Sequence, residues 1–193
     1  MNAITQIVTQ QLGGSAARTI AQRFGISETT ANTAIQMAVP LILTALARNA
    51  SQPQEAQNLH QAVATDHNGS IFDNVMGYLQ NPKSSNGAGI LGHVFGGQRP
   101  AIENNLAQAT GMDESSAGGL LETLAPLVMG SLGKAQQQNG LDASGLSDLL
   151  NNQQQEAQAN APGAMSMLSS LLDQNKDGSS MDDLQRMAAS FFK

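Results

Sequence analysis

The sequence resembles itself when it is displaced by 86 residues, from Gly25 onto Gly111, and this internal repeat constrains the fold most. The segment 25–31, GISETTA, then aligns with 111–117, GMDESSA. Farther along, without a gap, Pro40-Leu41-Ile42 aligns with Pro126-Leu127-Val128. Because glycine, acidic and proline positions all match, we predict a duplicated unit whose two copies contain the same succession of elements.

Each copy carries the signals of a helix start followed by an amphipathic helix. Ser27 and Asp113 are N-cap residues, whose side-chain oxygens can accept hydrogen bonds from the free N–H groups of a first turn. Glu28 and Glu114 follow them, where the helix dipole favours negative charge. Apolar residues then recur at helical spacing: Ala31, Ala34, Ile35 and Ala38 in the first copy, and Ala117, Leu120, Leu121 and Leu124 in the second.

Prolines interrupt both long apolar stretches. Pro40 and Pro126 cannot donate to the preceding turn, so each is expected to kink its helix or begin a new one. The 19 uncharged residues between Glu28 and Arg48 approach the length of a membrane span. Because threonines and asparagine dilute this stretch and Pro40 interrupts it, we predict a buried helical hairpin instead.

The fold class predicted from these patterns is all-helical. Alternating runs of β-branched and aromatic residues joined by tight turns do not occur in the sequence. Polar seams divide the chain into a multihelical array of two tandem repeats followed by a C-terminal segment. The predicted parts are a first helical repeat at 1–81, a linker at 82–89, a second repeat at 90–150, a polar Gln/Asn-rich segment at 151–162 and a C-terminal helical segment at 163–193.

Composition excludes several classes of function. With no cysteine, the chain has no disulfide, thiolate nucleophile or cysteine metal site. Its net charge of −6 disfavours a sequence-independent grip on nucleic acid, which needs a basic face. Residues 1–50 carry three arginines against Glu28 alone, whereas 140–193 carry seven acids and three bases. Such a dipolar chain could associate head to tail.

We predict a cytoplasmic protein that does not enter a membrane. The N-terminus, Met1-Asn2-Ala3-Ile4-Thr5-Gln6, has no basic region, and no small-residue cleavage site follows an apolar run. Both features are needed by a secretory signal, so we expect none here.

Residues 17–36 are arranged like a helix-turn-helix, with Gly25 at the turn. In a DNA-binding version, the second helix presents donors to bases and phosphates. Here that helix offers Thr29 and Asn32 but no lysine or arginine, and only Arg18 and Arg23 are placed to reach phosphate. Nucleic-acid binding is therefore the alternative, and a packing role for this motif is the main prediction.

An incomplete calcium loop lies near the C-terminus. Residues 173–184 begin like an EF-hand loop, with oxygen ligands at the first, third and fifth positions followed by glycine. Leu184 occupies the twelfth position, where a bidentate carboxylate is required. The candidate ligands are Asp173, Asn175, Asp177, Asp182 and Asp183. The competing interpretation is a turn that begins a helix, because Ser179 and Asp182 have the spacing of a capping box, so no resident cofactor is predicted.

No catalytic constellation is visible. His60, His67 and His93 are the three histidines, and they lack the spacing of a zinc site. The glycine pairs lack the context of a phosphate-binding loop, and no nucleophile elbow is present. We therefore predict a protein that is not an enzyme, without catalytic or cofactor-binding residues.

The run Gly25-Ile26-Ser27-Glu28, continued by Ala38-Val39-Pro40-Leu41-Ile42-Leu43, resembles the YidB-like bacterial family, a domain of unknown function. The later segment 177–184, DGSSMDDL, carries the same resemblance. It implies an all-helical fold, part of which is similar to a homeodomain-like arrangement, and it implies no catalytic residues. The short members of that family lack a second copy of the unit.

The function predicted from the sequence is binding to other molecules rather than catalysis. A duplicated helical unit offers quasi-equivalent surfaces, and a head-to-tail contact that does not close produces a polymer. We expect a homo-oligomer or polymer, or a protein that binds an unknown protein partner, with nucleic acid as the alternative ligand.

Overall fold

The computed structural model describes residues 14–160, which form helices joined by short turns. The predicted all-helical class is confirmed. The α-helices are α1 Ser15–Phe24, α2 Glu28–Ala50, α3 Pro53–Thr65, α4 Val75–Gln80, α5 Gly87–Phe95, α6 Arg99–Thr110, α7 Glu114–Asn139 and α8 Ala143–Asn160. Three short 3-10 helices, Ser70–Asn74, Pro82–Ser85 and Gly96–Gln98, lie between them.

Helices α2 and α7 begin in the same way. Ser27 Oγ and Asp113 Oδ1 each accept a hydrogen bond, at 2.9 Å, from the backbone N–H three residues later. The helices before them end at Gly25 and Gly111, whose φ angles of 65° and 72° lie in the left-handed region. Glycine adopts that conformation without the penalty other residues incur. The predicted caps are confirmed, whereas descent of the two units from one copy stays a prediction.

Neither long helix is divided by its proline. Pro40 lies inside α2 and Pro126 inside α7, so the predicted hairpin is wrong and each apolar stretch is one helix. A proline costs a helix one hydrogen bond. The burial of neighbours such as Val39 and Leu41, at 1% and 0% exposure, offsets that loss.

Other segments cover the backbone of α7 just before Pro126. This proline cannot donate to the carbonyl of Glu122. The Tyr78 hydroxyl donates to the next carbonyl, that of Thr123, at 2.7 Å. Gly87 packs on the Glu122 carbonyl so closely that a Cβ there would lie 1.9 Å from the oxygen.

The linker predicted at 82–89 is structured instead. Its residues form the 3-10 helix Pro82–Ser85 and the first residues of α5. The composition, rich in serine and glycine, is typical of linkers, but glycine at position 87 serves a close packing contact. The polar segment predicted at 151–162 is helical as far as Asn160, within α8.

Both predicted repeats contribute to one hydrophobic core. The buried residues of α2 and α7 belong to a single cluster with residues from α1, α5, α6 and α8. Helix α8 packs against α2, and α3 packs against α7, so the helix that follows the long helix in each half contacts the long helix of the other half. The two halves therefore share a core rather than forming separate domains.

Candidate functional site: a groove between α3 and α5

A groove of about 470 Å³ opens between α3 and α5, above α2 and α7. We call it the α3–α5 groove. Its floor consists of buried core side chains, among them Leu46 and Met129. Its walls are Leu59, Ala62 and Ile90, which pack against the core but are only half-buried. Apolar surface is therefore accessible in a concave site of the size that binds small molecules or side chains.

The rim of the groove is polar and acidic. Glu55, Asp66, His67 and His93 line it together with asparagines, and no lysine or arginine of the described chain does. Burial lowers the pKa of His67 below its usual 6.5, and neighbouring Asp66 raises it by less. The two carboxylates therefore give the rim a negative charge at neutral pH.

The groove continues past the end of α3. A second cavity of about 490 Å³ shares Asp66 and His67 with it and reaches Ile71, Tyr78 and Pro126. The His67 carbonyl packs on α7 at Gly133, where a Cβ would lie 1.9 Å from that oxygen. This close contact holds the segment after α3 against α7.

The opposite wall is held by a side chain from α2. The Asn49 Nδ2 amide donates to the carbonyls of His93 and Val94, at 3.2 and 3.1 Å. These carbonyls belong to the last turn of α5, whose hydrogen-bonding capacity the helix itself does not satisfy. Asn49 thus anchors the C-terminal end of α5 beside the groove.

The groove exists because α3 is seated less deeply than α8. Helix α8 buries Leu146, Leu150 and Gln153, whereas α3 buries only Ala56 and Val63. Leu59 and Ala62 of α3 stay half-buried and line the groove. A helix with a shallow apolar stripe cannot close the surface over α2 and α7.

The ionisable groups of the groove are not arranged as a catalytic pair. Within residues 14–160, neither the His67 nor the His93 imidazole forms a side-chain hydrogen bond to a carboxylate or hydroxyl. The same range contains no cluster of three or more histidine and acidic residues that could hold a metal ion. Apolar side chains and carboxylates therefore lie side by side in this groove.

The residues predicted for nucleic-acid contact do not form a basic surface. Arg18 Nε bonds to Glu28 Oε1 at 2.8 Å, which neutralises the first arginine. Arg23 Nη1 donates to the Leu79 carbonyl at 3.3 Å. Thr29 and Asn32 are exposed on α2, as predicted, without a lysine or arginine beside them on that helix face.

The other predicted site lies elsewhere in the chain. The calcium-loop ligands Asp173, Asn175, Asp177, Asp182 and Asp183 lie outside the described residues 14–160.

Sequence reasoning found only part of the groove. His67 and His93 were considered as metal ligands, whereas the apolar walls Leu59, Ala62 and Ile90 were not identified. The available signal is the spacing of Ala56, Leu59, Ala62 and Val63 on α3, which marks an apolar stripe. The sequence does not reveal that only half of this stripe is buried.

Helix α2 is the one described helix long and apolar enough to cross a membrane by length and composition. Most of its apolar window is buried within the fold, as in the core helix of a globular domain.

Comparison with known proteins identifies a family. The model of a family described as bacterial proteins of unknown function, DUF937, matches residues 6–135, about two thirds of the chain. The match extends across both predicted repeats as far as α7. Searches of curated proteins and of solved structures find no significant match. The chain therefore belongs to the DUF937 family, which confirms the predicted membership of a bacterial domain family of unknown function.

Proposed function

We propose that this DUF937 protein is a non-enzymatic protein that binds a segment of another protein in the α3–α5 groove. The observation that supports this most directly is the set of half-buried apolar side chains, Leu59, Ala62 and Ile90, that open into one concave site. Apolar side chains exposed in a groove are typical of sites that receive a partner's anchors.

The charge of the rim indicates the chemistry of the bound segment. Glu55 and Asp66 flank the apolar walls, and no lysine or arginine of the described chain lines the groove. A segment with apolar anchors on one face and lysine or arginine beside them complements this surface. An amphipathic helix is the compact form of such a segment, and α3, with 13 residues or about 20 Å, provides a wall of suitable length.

The alternative to binding another protein is self-association, in which a second copy of this chain occupies the groove. Outside the groove, Met76 is the one large apolar side chain exposed on residues 14–160, at 36%. Because the walls of the groove are apolar and half-buried, a second copy of the chain could dock in the same groove. The basic bias of residues 1–50 is the feature that favours a second copy as the occupant.

The test uses a labelled amphipathic peptide with leucines at i, i+3, i+4 and i+7 and lysines beside them. We expect saturable binding in fluorescence anisotropy, weakened about tenfold or more by Leu59→Ser because an anchor contact is lost. Glu55→Lys should also weaken it and reduce its dependence on salt. Gln61→Lys, on an exposed position of α3 outside the groove, is the control for added charge and should have less effect than Glu55→Lys.

Two results would contradict the proposal. One is equal binding of the peptide and of its counterpart with glutamates in place of lysines. The other is a concentration-dependent oligomer in size-exclusion chromatography with light scattering that Leu59→Ser dissociates. The second result would assign the groove to another copy of this chain.

A further inference from the structure

A separate cavity lies on the other side of the last turn of α5. Its volume is about 540 Å³, and it is bounded by the C-terminal end of α2, the turn Gly96–Gln98 and α8. We call it the Arg48 cavity. Ala47, Phe95 and Ile102 are buried and form its apolar surface, while Arg48 provides its one permanently charged side chain. The adjoining α3–α5 groove contains carboxylates, and this cavity does not.

Arg48 differs from the other arginines of the described chain in having no partner. Arg18 pairs with Glu28, and Arg99 pairs with two glutamates. Arg23 is bonded to a backbone carbonyl. The exposed Arg48 guanidinium forms no ion pair, hydrogen bond or ring contact within residues 14–160.

The position aligned with Arg48 in the other repeat has a structural use. Lys134 lies over the Phe72 ring, 6.0 Å from its centroid, and is half-buried. Its Cβ lies so near Gly69 that a Cβ on that glycine would be 3.1 Å away. In the first repeat, no aromatic ring of the described residues covers Arg48. The Arg48 cation therefore stays available at the edge of a cavity.

From this arrangement we infer that the Arg48 cavity binds a small carboxylate with an apolar body. Arg48 supplies a planar pair of donors that matches a carboxylate. The amides of Gln98, Asn151 and Gln154 line the same cavity and add neutral donors. The apolar surface formed by Phe95 and Ile102 accommodates the rest of the ligand, and the volume suits a molecule of modest size.

Because the cavity has a single cation, it is poorly suited to nucleic acid and to multiply charged phosphates. Nucleic acid is held by several cations along a backbone, each neutralising a phosphate. Here one guanidinium stands beside apolar surface in a protein of net charge −6. A monocarboxylate with a short hydrocarbon chain fits this combination better than a multiply charged phosphate.

The test is titration with sodium octanoate, followed by isothermal calorimetry and by thermal unfolding. We expect saturable binding that raises the melting temperature. Arg48→Gln should weaken the affinity about tenfold or more, because the paired charge is lost. Arg18→Gln removes an exposed arginine on α1, which does not line the cavity, and should leave the affinity unchanged. Octan-1-ol lacks the carboxylate and acetate lacks the hydrocarbon chain, so each should bind more weakly than octanoate.

Any of three results would overturn the inference. The first is the absence of saturable binding at 10 mM octanoate, and the second is equal affinity of the Arg48→Gln variant. The third is loss of octanoate binding in Leu59→Ser with retention in Arg48→Gln, which would place the ligand in the α3–α5 groove. Because the inference does not rest on peptide binding, its failure and the failure of the proposed function give different results.

Discussion

Helices α2 and α7 start alike but occupy different places in the molecule. Both follow a glycine turn, have an N-cap at the aligned position and contain a proline at the aligned position. On α2, Asn32, Thr33 and Gln36 are exposed. On α7, most residues from Ala117 to Gln136 are buried, whereas the continuous buried run of α2 is shorter and extends from Ala38 to Ala47.

Glycines account for much of this difference. Gly118, Gly119, Gly130 and Gly133 on α7 align with Asn32, Thr33, Thr44 and Ala47 on α2. Each glycine admits a close neighbour, such as the Phe24 ring at Gly119 and Ile71 at Gly130. Cap residues thus determine where a helix begins, whereas side-chain volume along the helix determines how closely its neighbours can approach it.

The largest expected effect comes from filling a close contact on α7. Gly133→Ala places a Cβ 1.9 Å from the His67 carbonyl oxygen, so backbone must move. We expect a loss of about 3 kcal/mol in the free energy of unfolding, measured by urea denaturation. Gly92→Ala is the control, because its Cβ meets no atom within 4 Å. This helical substitution should stabilise the protein by about 0.5–1 kcal/mol, and a similar loss in both variants would contradict the explanation.

The second largest expected effect is a difference between the ion pairs of the two halves in their contribution to the free energy of unfolding. Arg99 bonds to Glu103 at 2.6 Å and to Glu122 at 2.5 Å, and the Glu103 side chain is 16% exposed. Arg99→Met leaves that carboxylate without its cation, and we expect a loss of about 1–2 kcal/mol. Arg18→Met breaks only a pair of exposed side chains and should cost less than about 0.5 kcal/mol. Equal losses in chemical denaturation would refute this ranking.

The two N-caps should be distinguishable by pH. Ser27→Ala is expected to cost about 1 kcal/mol at any pH, because the cap is a neutral hydroxyl. Hydrogen bonds from the side chain and backbone N–H of Ser116 hold the pKa of Asp113 below its usual 3.8. Its stabilising effect is therefore present above pH 3.8 and is lost as pH falls through the lower, folded-state pKa. Unfolding of Asp113→Asn compared with the wild type at pH 7 and pH 3 checks this, with a smaller difference expected at pH 3.

The smallest expected effect concerns the segment that packs on Gly133. Burial lowers the pKa of His67 in the folded protein, so the unfolded chain takes up the proton first. Stability should therefore fall as pH drops below 6.5, towards the folded-state pKa. A His67→Gln variant should show a shallower loss between pH 7 and pH 5. An identical pH profile in the variant and the wild type would show that this imidazole does not contribute.

Sequence reasoning succeeded where the determining contacts are local. The side chains of Ser27 and Asp113 bond within one turn of their own positions, so their roles can be recognised from a few letters. Sequence reasoning failed for Pro40 and for the segment 82–89, because burial against distant helices determines the backbone structure at both places. The α3–α5 groove combines both cases, since its histidines were noticed and its apolar walls were not.

The sequence by itself determined the helical class, the caps and the turns, because these depend on hydrogen bonds and backbone preferences within a few residues. Only the tertiary structure decided how far burial extends along each of the two similar helices, that both halves share one core, and that α3 leaves a groove open. Those outcomes depend on how volumes from distant segments fill the same space, and this is not encoded at any one position.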